Sequence, residues 1–205
     1  YTLNNSEPRA SGGAPAGTAY SVPVTITQNT RVKARAWDGS SFTRAPDTWP
    51  WSPISEAMFV VDPAPLAITE IMYHPRPPSS IGEVVYSASD FEFIEIQNTS
   101  ASSCLLVGVQ LLNGVEFDLT DSASASLGTG EYGVLVRNPD AFKVRYPDWA
   151  SLNILGTYTG RLNDSGEQVK LGYDVAGMSA LASFDYEDDW YPCTDGEGFS
   201  LVLND

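Results

Sequence analysis

The shortness of the apolar runs constrains this chain most. Stretches such as "SVPVTIT", "FIEI" and "CLLVGVQLLNGVEFDL" are short, broken by Gly, Pro or an Asn-Gly pair or ended by polar residues such as Gln97-Asn98-Thr99. A buried helical face needs apolar residues at i, i+3 and i+4 sustained over several turns, whereas a half-buried strand needs only a few alternating positions. The 17 glycines and 14 prolines therefore read as punctuation between strands. An all-β fold with many turns is expected. One short helix is predicted in "PDAFKVRYP", with Pro139 in its first turn and Pro147 ending it.

Alternation places the strands. Val22, Val24 and Ile26 predict one; Val32, Ala34 and Ala36, alternating with Arg31, Lys33 and Arg35, predict the next, with "TQNT" as the turn between them. "SEAMFVV", "LAITEIMYHP" and "FEFIEIQNTS" follow, the last with a register change at Ile94–Ile96. Asn113-Gly114 is a strong hairpin signal. "LGTGEYGVLVRN" reads as a Gly turn and then a strand over Tyr132–Val136. Asn163-Asp164-Ser165-Gly166 holds the residues that make tight turns at low cost, so the charged stretch "TGRLNDSGEQVKL" reads as a turn rather than a catalytic loop. Val169 and Leu171 beyond it should face the core, and Gln168 and Lys170 water. "ALASFDY" and "GEGFSLVLND" complete the β pattern.

Charge divides the chain. Residues 1–64 carry five basic and five acidic groups, whereas residues 65–205 carry six basic and twenty-one acidic, which accounts for the net −15. The break falls at "VVDPAPLAI", where Pro63 and Pro65 bracket a stiff linker, and predicts two domains, 1–64 and 65–205. The acidic half argues against nucleic acid or an anionic membrane surface as partner. Cations and neutral glycans stay open. No apolar run reaches about 18 residues, so membrane insertion is not expected. With 42% hydrophobic residues the chain can build a core. It opens on "YTLNN", which reads as mid-strand and predicts a fragment of a longer precursor.

Two longer patterns are similar to known families. "YTLNNSEP", "VTITQNTRVKARAW" and "WSPISEAMFVV", over residues 1–61, resemble the small immunoglobulin- or fibronectin-like module at the C-terminus of chitobiases and related hexosaminidases. Asn5 stands where that pattern often has Gly, and its first strand is not evident. From Leu66, "ITEIMYHP", "FIEIQNTS", "LLVGVQLLNGVEFDL", "LGTGEYGVLVRNPDAFKVRYP", "GRLNDSGEQVKL" and "DYEDDWYPCTDGEGFSLVL" resemble the lamin-tail domain of large exported bacterial proteins. "RPPSSIGEVVYSASD" departs from that pattern as an extended loop, and the cysteines lie outside it. The resemblances imply two immunoglobulin-like β-sandwiches in tandem, placed outside the cell or on its surface. The implied role is non-catalytic and structural or adhesive. The implied partners are other domains of the same polypeptide, a polysaccharide or a cell-surface protein.

Candidate chemistry is sparse. His74, the single His, sits at a strand end beside prolines, and no phosphate or dinucleotide loop or metalloprotease motif is present. A glycosidase needs two carboxyls about 5–10 Å apart. Glu92 with Glu95, and Asp185 with Glu187, are candidates, but among 26 acidic residues chance pairs abound. Glu70 and Glu95 read as strand residues at the sandwich rim. Asp185, Glu187, Asp188, Asp189, Asp195 and Glu197 form an acidic run that offers hard oxygen ligands to Ca²⁺, or else a solvated loop. Trp49 and Trp51 are candidates for stacking on sugar rings. Trp51 begins a strand in the chitobiase-like pattern and is expected to pack inward, which leaves Trp49 as the freer ring. Cys104 and Cys193 read either as one disulfide or as two small buried thiols.

Overall fold

The computed structural model describes residues 1–40 and 50–203. The chain divides into two compact units, Tyr1–Pro63 and Ala64–Asp205.

In the first unit, β1 (Thr30–Ala34) pairs antiparallel with β2 (Ser55–Phe59), Val32 opposite Ala57. Thr2 and Lys33 exchange two backbone hydrogen bonds of 2.9 and 3.2 Å and so extend the sheet beyond β1. Asn29 fixes the exit of the unit: its Nδ2 donates to Asp62 O at 2.7 Å, and its Oδ1 accepts from the N–H groups of Val61 and Asp62. The strand expected over Val22–Ile26 does not form, and Val22 is 66% exposed. The competing terms are visible. Pro23, second in that stretch, offers no ladder donor, and Thr2 occupies the edge of β1 at Lys33.

The second unit carries β3 (Leu66–Met72), β4 (Phe93–Asn98), β5 (Cys104–Leu105), β6 (Val109–Asn113), β7 (Val115–Asp118), β8 (Ser126–Leu127), β9 (Tyr132–Val136), α1 (Pro139–Arg145), β10 (Ile154–Thr157), β11 (Thr159–Gly160), β12 (Gly166–Tyr173), β13 (Ala182–Glu187) and β14 (Leu201–Val202). One five-stranded sheet has the order β10-β9-β4-β3-β14, antiparallel except for β10 on β9. The other, β11-β7-β6-β12-β13, is antiparallel throughout, and β5 and β8 form a separate short pair. This is an all-β, immunoglobulin-like sandwich. Ile71, Ile94, Ile96 and Leu135 of the first sheet and Val109, Leu111, Val169 and Leu171 of the second are each 3% exposed or less, the alternation that two sheets sharing a core require. The Tyr73 and Tyr186 rings, 4.6 Å apart, join β13 to the end of β3.

The expected register change lies one strand earlier than the pattern suggested. In β4, Ile94, Ile96 and Asn98 are buried in regular alternation. The irregularity falls in β3 between Ile68 and Glu70, opposite Glu95. Leu66 and Ile68 are buried before it, Ile71 and Tyr73 after it, which is the parity shift one extra residue imposes. Phe91 is not in the strand but ends a 3-10 turn, Ala88–Phe91. Phe93 lies on the opposite face of β4 yet is buried, because α1 covers that face. Its ring meets Phe142 at 5.8 Å and Tyr146 at 5.7 Å, in a cluster with Met72, Val134 and Val136. α1 begins as predicted, with Pro139 in the first turn and Asn138 Oδ1 capping the N–H groups of Asp140 and Ala141.

The Asn163–Gly166 stretch is a turn. Gly166 N–H donates to Asn163 O at 3.2 Å and Ser165 N–H to Asn163 Oδ1 at 3.0 Å. Gly166 sits at φ +107°, where a Cβ would lie 2.5 Å from Tyr186 O. Gly166→Ala is therefore expected to lower stability by roughly 1–3 kcal/mol, read as a fall in the urea midpoint. A change below about 0.5 kcal/mol, the ordinary surface scatter, would mean that the turn relaxes freely.

Candidate functional site

Two groups of side chains stand out, an aromatic groove in the first unit and a set of carboxylates in the second. In the first unit, β1 runs past Ala34 into Trp37, which pairs across an isolated bridge with Trp51. The indole rings stack at 5.8 Å with 19° between their planes. Trp51, 9% exposed, donates Nε1–H to Gly13 O at 2.8 Å, so it packs inward and anchors the loop before Pro15. Trp37 Nε1–H donates to Ser40 O, and Asp38 Oδ1 caps Ser40 N–H at 2.7 Å beside Gly39 at φ +85°. This turn holds the Trp37 ring while leaving it 46% exposed. Tyr20 is 71% exposed and meets Tyr1 edge-to-face at 6.4 Å. Tyr1, Tyr20, Trp37, Trp51 and Arg35 line a groove of about 410 Å³. An apolar cleft of about 300 Å³, with Val24, Ile26, Val32 and Phe59, adjoins it through Tyr1 and Tyr20. The Arg35 guanidinium donates to Glu7 Oε1 at 2.5 Å and to Ser52 O at 2.6 Å, and that hydrogen bond holds the Glu7 carboxyl below its ordinary value. Trp49, the other predicted sugar-stacking residue, lies outside the described residues.

Of the carboxylate pairs expected in the second unit, Glu92 and Glu95 do not converge. Glu92 and Glu95 are three residues apart on extended backbone and so face opposite ways. Glu92 is fully buried: Oε2 accepts Leu162 N–H at 2.9 Å and Tyr158 O–H at 3.3 Å, while Oε1 stands 3.7 Å from Arg137 Nη1 without a hydrogen bond. Burial pushes its pKa up to about 8 against the pull of those donors and of Arg137. Glu95 lies on the other face, where Thr69 Oγ1 donates to it at 2.7 Å. Desolvation raises its pKa, and the charge of Glu70, opposite it in register, adds to the rise. Glu70 in turn accepts from the Ser200 hydroxyl. Asp185 and Glu187 share the exposed face of β13, with Gln168 Nε2 donating to Asp185 at 3.2 Å.

The carboxylate that sequence reading missed is Glu83, in the loop over residues 76–90. It is 3% exposed and receives Arg145 through two bonds, Nε to Oε1 at 3.1 Å and Nη2 to Oε2 at 3.2 Å. Ser79 N–H donates at 2.8 Å, and Arg76 Nη2 lies 3.3 Å away. The Arg145 hydrogen bonds pull the Glu83 pKa down to about 2. The Arg145 guanidinium lies 3.4 Å from the Phe91 ring centroid and donates Nη1–H to Arg76 O at 2.8 Å, so the loop is fastened to α1.

His74 Nδ1 and Asp195 Oδ1 are 2.6 Å apart, and Gly196 N–H donates to His74 O. The pair ties the end of β3 to the loop before β14. Asp195 is thereby separated in role from Asp185, and no group of three or more His, Cys, Asp or Glu side chains gathers among the described residues. Asp185, Glu187, Asp188, Asp189 and Asp195 thus do not form the compact ligand set that the acidic run suggested. Of the two readings of the cysteines, the free thiols hold and the disulfide does not: Cys104 is buried on β5 opposite Leu127, whereas Cys193, against the expected burial, is exposed in a 3-10 turn.

Trp37 and Tyr20 also went unread as site residues. The available signal was local: a Trp just beyond a strand and before Asp-Gly is placed on a turn, where its ring has an open side. The family model described as Fn3 associated matches residues 1–43, the segment that carries Tyr1, Tyr20, Arg35 and Trp37. No curated protein and no solved structure matches the chain.

Proposed function

We propose that the chain is a non-catalytic accessory region of a larger exported protein. In this reading the second unit, of lamin-tail type, is a rigid spacer and the first, chitobiase-C-like, presents a binding surface. Its partners are other domains of the same polypeptide and a ligand outside the cell or on its surface. The observation that carries the reading is the use of the carboxylates. Glu83 holds a loop through Arg145 and Ser79 N–H, and Glu92 holds the 158–162 segment through Leu162 N–H. Neither pairs with a second carboxyl across an open cleft, as acid and nucleophile or base must in glycoside hydrolysis. The Fn3-associated match supports an accessory role.

The test is release of reducing ends from neutral and acidic polysaccharides at pH 5 and pH 8. No release above a protein-free blank is expected. Release that Glu95→Gln abolishes would replace this reading with that of a hydrolase.

A further inference from the structure

We infer that the groove lined by Tyr20, Trp37 and Arg35 binds a neutral glycan, with a pyranose ring laid on the open face of Trp37. The inference rests on the accessory reading and names the ligand class of its binding surface. One face of Trp37 is taken by Trp51, yet the residue is 46% exposed, so water meets its other face and edges. An aromatic face carries the negative lobe of the ring quadrupole. A pyranose with equatorial hydroxyls presents a flat patch of C–H groups, polarised positive, that matches such a face.

Sugar hydroxyls also need donors and acceptors side by side. Arg35, Thr18, Tyr1 and Tyr20 line the groove, and their side chains include five guanidinium N–H donors and hydroxyls that both donate and accept. Arg35 is pre-set for this, because Ser52 O and Glu7 already fix its plane. The groove is therefore mixed in character, with aromatic faces beside hydroxyls and one guanidinium whose charge the Glu7 carboxylate balances. The surrounding segment, residues 1–64, has balanced charge, five basic and five acidic groups. Nothing there favours a polyanion or a polycation, which leaves an uncharged polymer as the matching ligand. At about 410 Å³ the groove lies in the size range of small-ligand sites. Tyr20, 71% exposed, stands as a second platform beside it.

A proline-rich peptide is the competing occupant, since aromatic grooves also take extended proline helices. Such a peptide needs few hydrogen-bonding groups along the groove, whereas Arg35, Thr18, Tyr1 and Tyr20 bring donors and acceptors to its lining. The glycan is therefore favoured.

The experiment is depletion of the full chain by cellulose and chitin, and affinity electrophoresis in soluble β-glucan and xylan. A polyproline peptide is titrated in parallel, and reducing ends are assayed in the same supernatants. Binding to at least one polysaccharide is expected. Trp37→Ala and Tyr20→Ala should each weaken it about tenfold or more, the scale of a lost stacking contact with its buried area. Trp149→Ala, in the second unit, should leave it unchanged. Tyr20→Ala guards against misfolding, because so exposed a ring contributes little to the core. Absence of binding to every polysaccharide would overturn the inference, as would binding indifferent to both groove variants, or polyproline binding in its place. Those outcomes leave the accessory reading standing. Release of sugar, by contrast, would overturn the accessory reading itself.

Discussion

Glu83→Ala is expected to lower the stability of the second unit by about 3–5 kcal/mol, the range for removing one partner of a buried ion pair. The variant strands the Arg145 guanidinium, 6% exposed, over Phe91 with its two carboxylate bonds gone. It also frees Ser79 N–H and leaves the 76–90 loop tied to α1 through Arg145 Nη1–H on Arg76 O without the two carboxylate bonds. Urea unfolding followed by a probe in the second unit reads the loss, and hydrogen exchange should show the loop amides unprotected. Arg145→Ala should match it, and the double variant should fall well short of the sum, because the two residues act on one contact. A loss below about 1 kcal/mol, the size of an exposed pair, would mean that the clamp is not desolvated as the geometry indicates. The same site sets the acid limit. The folded-state pKa of Glu83, about 2, lies below its unfolded value of 4.5. Its contribution is complete above 4.5 and is lost as pH falls toward 2.

Glu92 acts with the opposite sign, and Glu92→Gln is the second large effect. Its pKa is pushed up to about 8 in the folded chain from an ordinary 4.5. Folding therefore favours the protonated carboxyl: the contribution is complete below 4.5 and is lost as pH rises through about 8. At about 1.4 kcal/mol per pH unit over that interval, the wild type should lose roughly 3–5 kcal/mol between pH 5 and pH 9. Glu92→Gln cannot ionise, so its stability should stay nearly flat across the range and exceed that of the wild type at pH 9. Equal slopes in the two proteins would mean that Arg137, 3.7 Å away, keeps the carboxylate ionised in the fold. Together the two glutamates predict greatest stability near pH 5, between the losses at either end.

What could be read in advance was local. The Asn113-Gly114 hairpin, the Asn163–Gly166 turn, the Asn138–Pro139 start of α1 and the inward Val169 and Leu171 depend on neighbours within a few residues. The misread features depend on distant partners. The strand over Val22–Ile26 lost to Thr2, about twenty residues upstream, at the edge of β1. The β3 bulge shows only when β4 is laid beside it. The register change expected at Ile94–Ile96 is absent, because α1 supplies a second apolar layer that buries Phe93 on the other face. The site followed the same rule. Glu83 sat in what read as an extended loop because its partner, Arg145, is 62 residues away. Trp51 packs inward as expected, but Trp37, the ring stacked on it and left open, carries no signal of its role within the strand alternation that precedes it.

The central claim is that the perturbed carboxylates serve the fold while ligand binding belongs to the aromatic groove. Carboxyl-resolved NMR titration of labelled glutamates in the full chain tests it most directly, with and without a saturating soluble glycan. The account predicts Glu83 titrating near 2 and Glu92 near 8, both unmoved by the glycan, while the Trp37 indole resonance shifts. Glu92 or Glu95 shifting on glycan addition, with Trp37 unaffected, would contradict it and place the ligand at the carboxylates.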